Sequence, residues 1–81
     1  MVFSLANFVG SRVRRLRKLR GFSQEVLAEL VHVSPETISN VERAQHPPTL
    51  ATLERILKAL DVTAAEFFGA AADDNDDSNE P

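Results

Sequence analysis

The sequence contains no cysteine, no tryptophan and no tyrosine. Without cysteine the chain can form neither a disulfide bond nor a thiolate metal site, so packing must stabilise it. No stretch is long and apolar enough to cross a bilayer, and the longest uncharged one, residues 1–11, lacks the basic start of a signal peptide. We therefore expect a cytoplasmic protein without a membrane partner.

The chain also has little room for chemistry, since 81 residues provide one small core. It contains no glycine-rich phosphate loop and no thiol, which argues against an enzyme. The two histidines, His32 and His46, have no acidic residue clustered beside them, so neither a metal site nor a cofactor is expected. Without a second domain, no small-molecule effector is expected either.

Charge is distributed unevenly along the chain, whose formal net charge is −3. Residues 69–81 contain five acids and no base, giving −5, whereas residues 1–68 contain nine bases against seven acids, giving +2. Six of these bases lie between Arg12 and Arg20 without an acid. Taken alone, such a run is more typical of a solvent-exposed helix face. Residues 1–68, with their positive net charge, can nevertheless approach a polyanion.

Apolar spacing and capping residues predict an all-α fold of five helices without strands. The first three predicted helices are Phe8 to Arg20, Gln24 to Val31 and Pro35 to Arg43, and their N-caps are Asn7, Ser23 and Ser34. A fourth helix begins after the N-cap Thr49, and a short fifth begins after Thr63. The fourth has the best apolar face, formed by Leu50, Leu53, Ile56, Leu57 and Leu60. Thr63 and Glu66 form a capping box.

Residues 1–69 are expected to form one domain, and residues 70–81 a disordered acidic tail. The tail has no apolar side chain larger than alanine, so it cannot repay the entropy of being ordered. Its aspartates lack the glycine and the terminal glutamate of a calcium-binding loop, which favours a solubilising role over cation binding.

The second and third predicted helices are joined by only two or three residues. Helices so joined cannot lie antiparallel comfortably and cross steeply, which is the helix-turn-helix arrangement. The residues of the third helix that the core does not need are polar: Glu36, Thr37, Ser39, Asn40 and Arg43. Such side chains can read base edges in the major groove of B-DNA.

Four segments extend this interpretation: VGSRVRRLRKLRGFSQ (9–24), LAELVHVSPETISNVERA (27–44), PTL (48–50) and ATLERILKALDVTAAEFF (51–68). In this order and with these gaps they resemble the phage-repressor and Cro-like regulators of the XRE family. The resemblance covers about Val9 to Phe68. It implies a compact, five-helix, lambda-repressor-like domain that binds double-stranded DNA through its helix-turn-helix.

The resemblance also implies roles for individual residues. Base contacts fall on Pro35, Glu36, Ser39 and Asn40. Phosphate contacts fall on Gln24, Thr37, Arg43, His46 and Thr49. A structural ion pair joins Arg17 to Glu42, and a dimer contact involves Ala64, Ala65 and Phe68. Among the base contacts, Asn40 can pair bidentately with adenine, whereas Glu36 can accept only from cytosine.

Three positions depart from the family pattern. His32 stands where the turn usually has glycine, and we expect it to adopt the left-handed conformation at a cost of about 1 kcal/mol. Ala44 replaces the glycine that usually follows the third helix, which leaves the end of that helix open. Pro35 has neither donor nor acceptor, so base readout depends on its neighbours.

Some apolar residues stand where the family commonly has polar ones: Leu19, Val26 and Leu30, with Phe3 and Leu5 in an N-terminal extension. Isolated apolar residues on a surface are ordinary. Val26 and Leu30, however, lie one helical turn apart. One interpretation is that these residues are ordinary exposed side chains. The other is that the N-terminal segment folds back on this strip, or that the strip contacts another subunit.

Two functions remain. The first is a sequence-specific transcriptional regulator, a repressor that binds a two-fold related operator as a homodimer through the major groove. The alternative is a protein-interaction module on the same fold, such as an antitoxin or a coactivator-like adaptor that binds another protein. A regulator predicts tight, salt-dependent binding to a defined site, and an adaptor only weak, sequence-blind binding to DNA.

Overall fold

A computed structural model of the chain describes residues 4–69. Its helices are α1 (Leu5–Leu19), α2 (Gln24–Val31), α3 (Pro35–Glu42), α4 (Leu50–Ala59) and a last helical segment, α5, at residues 64–69. No strand occurs in this range, and the predicted all-α, five-helix class is confirmed. The predicted acidic tail and Phe3 lie outside the described residues.

Hydroxyl side chains start α2, α3 and α4 as predicted. Ser23, Ser34 and Thr49 each accept a hydrogen bond from the backbone N–H three residues later, at 3.0, 3.2 and 3.1 Å. The capping box before α5 is also present, because the backbone N–H of Thr63 donates to Glu66 Oε1 and that of Glu66 donates to Thr63 Oγ1, both at 2.9 Å. Local sequence therefore defines these four helix starts.

The predicted start of α1 is wrong, because Ser4 is its N-cap and not Asn7. Ser4 Oγ accepts from the backbone N–H of Asn7 at 3.1 Å, so Asn7 lies inside the first turn. Serine and asparagine are nearly equal N-caps. Leu5 and Ala6 between them are good helix formers, so the earlier cap adds a turn at little cost.

This earlier start changes where the N-terminal extension lies. Leu5 belongs to α1 and lines an apolar groove with Pro48, Leu50 and Phe68, whereas Leu30 lines a different surface depression. The prediction that this segment folds back on the strip of α2 is therefore wrong for Leu5. It remains open only for Phe3, outside the described range.

The helices enclose an aliphatic core in which α3 packs against both α1 and α2. The buried hydrophobic side chains are Val9, Val13, Leu27, Ala28, Val31, Ile38, Val41, Ile56, Leu57, Leu60 and Phe67. Leu50 was expected in this core but is 82% exposed, because it is the first residue of α4 and projects beyond the helices that cover the rest of its face. Leu53, one turn later, is half-buried.

The backbones of α1 and α3 approach closely at Gly10. A Cβ atom added at this buried glycine would overlap the carbonyl oxygen of Val41 and lie 2.9 Å from that of Glu42. The contact needs glycine for space and not for its backbone conformation. It sets the distance between α1 and the last turn of α3.

Each of the helices α1 to α4 has a residue in the left-handed conformation at its C-cap or directly after it. These residues are Gly21, His32, Ala44 and Asp61, with φ angles of 78°, 66°, 59° and 61°. After α2, the backbone N–H of His32 donates to the carbonyl of Glu29 at 3.3 Å, and that of Val33 donates to Ala28 at 3.0 Å. This pair of bonds is the Schellman motif, and the other three ends repeat it.

Among these four positions only Gly21 adopts the conformation without a steric cost. His32 adopts it as predicted. Ala44 does so as well, and α3 therefore ends at Glu42 with Arg43 as its C-cap, one residue earlier than predicted. The strain of a non-glycine residue at such a position is about 1 kcal/mol.

We predict that Ala44→Gly raises the free energy of unfolding by about 0.5–1 kcal/mol, because glycine removes the Cβ that disfavours left-handed backbone. The matched control is Ala51→Gly at an exposed helical residue of α4, which should lower it by about 0.5–1 kcal/mol. Equilibrium denaturation in urea measures both. If both variants lose stability, the strain assigned to Ala44 is wrong.

Candidate nucleic-acid interface

Local hydrogen bonds fix the turn between α2 and α3. The turn consists of His32, Val33 and Ser34. His32 completes the Schellman end of α2, while Ser34 caps α3 and its hydroxyl also lies 2.9 Å from Thr37 Oγ1. Pro35 occupies the first position of α3, where its missing N–H costs nothing. This arrangement defines α2 and α3 as a helix-turn-helix unit.

The two faces of α3 differ in polarity. Ile38 and Val41 are buried at 0% and 2% exposure and fix the orientation of the helix. Helical spacing then places the polar residues on the opposite face, which we call the outer face: Glu36, Ser39, Asn40 and Arg43, with Pro35 at its edge. Glu36, Arg43 and Pro35 are exposed, and Ser39 and Asn40 are half-buried.

A groove between α3 and the start of α4 brings several predicted contact residues together. It is lined by five polar residues, Thr37, Asn40, His46, Thr49 and Thr52, and by the apolar Val41, Pro47 and Pro48. The carbonyl of Asn40 accepts from the backbone N–H of Gln45 at 2.9 Å, which holds the loop against α3. Four residues proposed separately from the sequence, one for a base and three for phosphates, therefore line one groove.

Thr52 also lines this groove, although it was not among the predicted contact residues. Its hydroxyl accepts from Thr49 Oγ1 at 3.0 Å, and its backbone N–H donates to the same atom at 3.1 Å. A threonine three residues after an N-cap threonine was the available signal. Thr52 adds a second hydroxyl beside Thr49 at the start of α4.

Behind the outer face lies a buried cluster centred on Glu42. Arg17 donates to its carboxylate through Nε to Oε2 at 2.6 Å and through Nη2 to Oε1 at 3.1 Å. The side chains of Arg17 and Glu42 are only 10% and 2% exposed. Arg17 also donates through Nη1 to the carbonyl of Phe22 at 2.9 Å. The pair is thus bidentate and shielded from solvent, the geometry in which ion pairs are strongest.

Gln24 belongs to the same cluster, since its Nε2 donates to Glu42 Oε1 at 3.0 Å. An amide nitrogen has two hydrogens, so this bond leaves one for another acceptor. The phosphate contact that the family resemblance implies for Gln24 stays a prediction. Glu42 positions this side chain at the start of α2.

The residues expected to form the dimer contact lie on the surface. Ala64, Ala65 and Phe68 are exposed, Phe68 at 36%. The Phe68 ring packs in part on neighbouring rings, with its centroid 6.0 Å from that of Phe8 and 4.9 Å from that of Phe67. Their role in a dimer stays a prediction.

Other kinds of site find little support in the described chain. Residues 4–69 hold no group of three or more histidine, aspartate or glutamate side chains that could bind a metal ion. Within the same range, every helix is too short or too polar to cross a membrane. The outer face of α3 and its adjoining groove therefore remain the candidate site.

Comparison with known proteins agrees with this geometry. The sequence profile of the helix-turn-helix family matches residues 13–67. The chain is 45% identical over 67 residues to the HTH-type transcriptional regulator RamB of Mycobacterium tuberculosis, covering 83% of this chain and 14% of RamB. It is 34% identical over 71 residues to the competence pilus inhibition repressor of Acinetobacter baylyi, covering 88% of this chain and 64% of the repressor.

A solved structure shares the fold. The restriction-modification controller protein C.AhdI from Aeromonas hydrophila superposes with a TM-score of 0.75 at 32% identity, covering 80% of this chain and 98% of that one. The chain therefore belongs to the helix-turn-helix family of XRE and Cro-like transcriptional regulators and phage repressors. It spans 14% and 64% of the length of the two curated regulators named above.

We predict that Glu42→Ala lowers the free energy of unfolding by about 3–5 kcal/mol, because it leaves the Arg17 guanidinium buried without its partner. The control is Glu54→Ala on the exposed side of α4, which should change stability by less than about 0.5 kcal/mol. Thermal unfolding measures both. A Glu42→Ala variant that melts like the unaltered protein would refute the role of the pair.

Proposed function

We propose that the chain is a sequence-specific DNA-binding repressor that acts as a homodimer on a two-fold related operator. The observation that carries this proposal is the outer face of α3. Its polar side chains are not used by the core, while Ile38, Val41 and the Glu42 cluster hold the helix rigidly from behind. A rigid helix that presents polar groups outward suits the major groove, where each base pair displays a distinct set of donors and acceptors.

Within this face, the residues divide by what they can read. The amide of Asn40 can both accept from and donate to adenine, and Ser39 can pair with any base through its hydroxyl. Glu36 can accept from the amino group of cytosine. Pro35 offers only apolar contact, of the kind a thymine methyl group can make.

The groove beside the outer face supplies groups suited to phosphates. Thr37, Thr49 and Thr52 offer hydroxyls, and His46 lies on the loop between them. The N-terminus of the ten-residue helix α4, which carries the positive end of the helix dipole, adjoins the same groove, because its cap Thr49 lines it. Arg43 adds a charge at the end of α3. Such contacts fix the register of a protein on DNA without reading sequence.

Dimerisation follows from the small size of the outer face. One subunit offers few base-reading side chains, and two-fold symmetry doubles them. The apolar groove lined by Leu5, Leu50 and Phe68 includes one of the three predicted dimer residues, Phe68. Leu5 is 56% exposed and Leu50 82% exposed, and an exposed apolar surface of this kind is typical of an interface.

One observation favours the second candidate, an adaptor that binds another protein. Val26 and Leu30 lie one turn apart on α2 and are 43% and 50% exposed. They occur on a helix that also carries the phosphate contact proposed for Gln24. Helical spacing places this strip on the opposite side of α2 from Gln24, so a partner protein there need not displace DNA. Tight binding to a defined DNA site favours the repressor, and weak, sequence-blind binding favours the adaptor.

We predict that selection from random DNA yields a two-fold site whose half-sites lie about 34 Å apart, one helical turn of DNA. Sedimentation should show two subunits on each selected duplex, because one outer face is too small for tight specific binding. Phe68→Ser should weaken the dimer while leaving the fold intact. A monomer on saturating operator DNA would exclude the homodimer, and the absence of any selected site would favour the adaptor.

We further predict that Asn40→Ala and Arg43→Ala weaken DNA binding in different ways. Asn40→Ala should weaken operator binding by about 1–3 kcal/mol and relax preference at one base pair, because a base contact is lost. Arg43→Ala should weaken all sequences alike and reduce the salt slope by about 1, because a phosphate contact is lost. Lys58→Ala on exposed α4 serves as a charge-matched control. An unchanged selected site for Asn40→Ala would remove Asn40 from the base contacts.

A further inference from the structure

The basic residues of α1 divide into two groups. Arg17 is buried in the pair with Glu42, and Arg20 donates through Nε to the carbonyl of Leu60 at 2.8 Å. The other four, which we call the basic stripe, are Arg12, Arg14, Arg15 and Lys18. Arg14, Arg15 and Lys18 are exposed, and no acid within residues 4–69 forms an ion pair with any of these three.

The basic stripe lies on the side of α1 that faces away from α3. Val9, Gly10, Val13 and Arg17 form the buried side, and it is this side that contacts α3. Helical spacing puts Arg15 and Lys18 opposite to it, with Arg12 and Arg14 on the two flanks. A duplex bound to the stripe would therefore lie on the wrong side of α1 for α3 to read. Exposed cations such as Arg14, Arg15 and Lys18 bind DNA phosphates without regard to sequence, so leaving them uncovered would divert the protein to non-specific DNA.

We propose that the acidic segment, residues 73–80 of the same chain, docks on the basic stripe and keeps DNA off it. The segment contains five acids and no base: Asp73, Asp74, Asp76, Asp77 and Glu80. The two partners are opposite in sign and similar in charge. Arrangements of this kind suppress wrong partners, because DNA would have to displace an anion that is already tethered.

The described chain ends close to the stripe. Phe68 precedes Gly69 directly, and its ring lies 6.0 Å from that of Phe8. The guanidinium carbon of Arg12 lies 5.2 Å from the centroid of the same Phe8 ring. Residue 73 follows Gly69 by four positions, which an extended chain spans in about 14 Å. The stripe from Arg12 to Lys18 is only about 9 Å long at the rise of an α-helix.

The strength of this docking is limited by solvent. Exposed ion pairs are individually weak and are screened by salt, so the segment exchanges on and off the stripe. Such a contact can compete with equally weak, sequence-blind DNA binding. It leaves the outer face of α3 available for an operator.

Docking can be tested without DNA, so its outcome does not depend on the proposed function. Because the chain lacks cysteine, Ser78→Cys provides a single thiol for a nitroxide spin label. The label should cause loss of NMR amide signal at residues 11–19 of the full-length chain. This loss should disappear when Asp73, Asp74, Asp76 and Asp77 are all changed to Asn, and also in 1 M salt, where the screening length is about 3 Å.

A matched pair of variants shows whether the stripe is the partner. Lys18→Gln and Lys58→Gln each remove one exposed lysine from the last turn of a helix, α1 and α4 respectively. Lys18→Gln should reduce the loss of signal at residues 11–19, and Lys58→Gln should not. The proposal is overturned if the loss is spread evenly, falls on α3, or responds equally to both lysines.

The consequence for DNA is measured with a random-sequence duplex by fluorescence anisotropy. The four Asp→Asn changes should tighten this binding by roughly eightfold at 0.1 M salt. This is the factor by which one added phosphate contact raises the affinity when the salt concentration falls from 1 M to 0.1 M. Adding Arg15→Gln and Lys18→Gln should cancel the gain, whereas adding Lys58→Gln should not. A gain that persists without the stripe would mean that the acids act through net charge alone.

Discussion

The buried carboxylate of Glu42 is the interaction on which the placement of α3 depends. It accepts hydrogen bonds from Arg17 of α1 and Gln24 of α2, so one side chain near the end of α3 joins three helices. A charge can remain buried only when it is paired and hydrogen-bonded. In the described part of the chain, no buried side-chain nitrogen or oxygen lacks such a partner. The position of α3 therefore follows from satisfying this one charge.

Close packing supports the same contact. Gly10 lets the backbone of α1 approach the carbonyls of Val41 and Glu42, which brings Arg17, two turns later, within reach of the carboxylate. Ile38 and Val41 hold α3 from its apolar side. Because the core and the ion pair both lie behind the helix, the side chains of its outer face belong to neither of them. Because of that separation, the polar residues on the outer face of α3 can be substituted without removing the contacts that hold the fold.

The surface of the domain divides by chemistry into regions suited to different partners. The outer face of α3 and its groove are polar and rich in hydroxyls, which suits base edges and phosphates. The groove lined by Leu5, Leu50 and Phe68 is apolar, which suits another protein surface. The basic stripe of α1 is cationic and faces away from α3. In the docking proposed above, the acids of residues 73–80 supply the opposite charge for this surface.

Much of this protein could be predicted from its sequence because the signals are local. Hydroxyl N-caps and the Thr63–Glu66 box involve residues three apart, and the bounds of α2 followed from them directly. The start of α1 at Ser4 was a choice between two nearly equal local caps, whereas the exposure of Leu50 and the groove that Thr52 lines depended on tertiary structure. Tertiary structure also decided that Arg20 is bonded within the fold while the basic stripe is not part of the core; the pairing of Arg17 with Glu42 was already implied by the family resemblance. Periodicity shows which residues share a face, but which face is covered, and by what, is decided only when the helices pack.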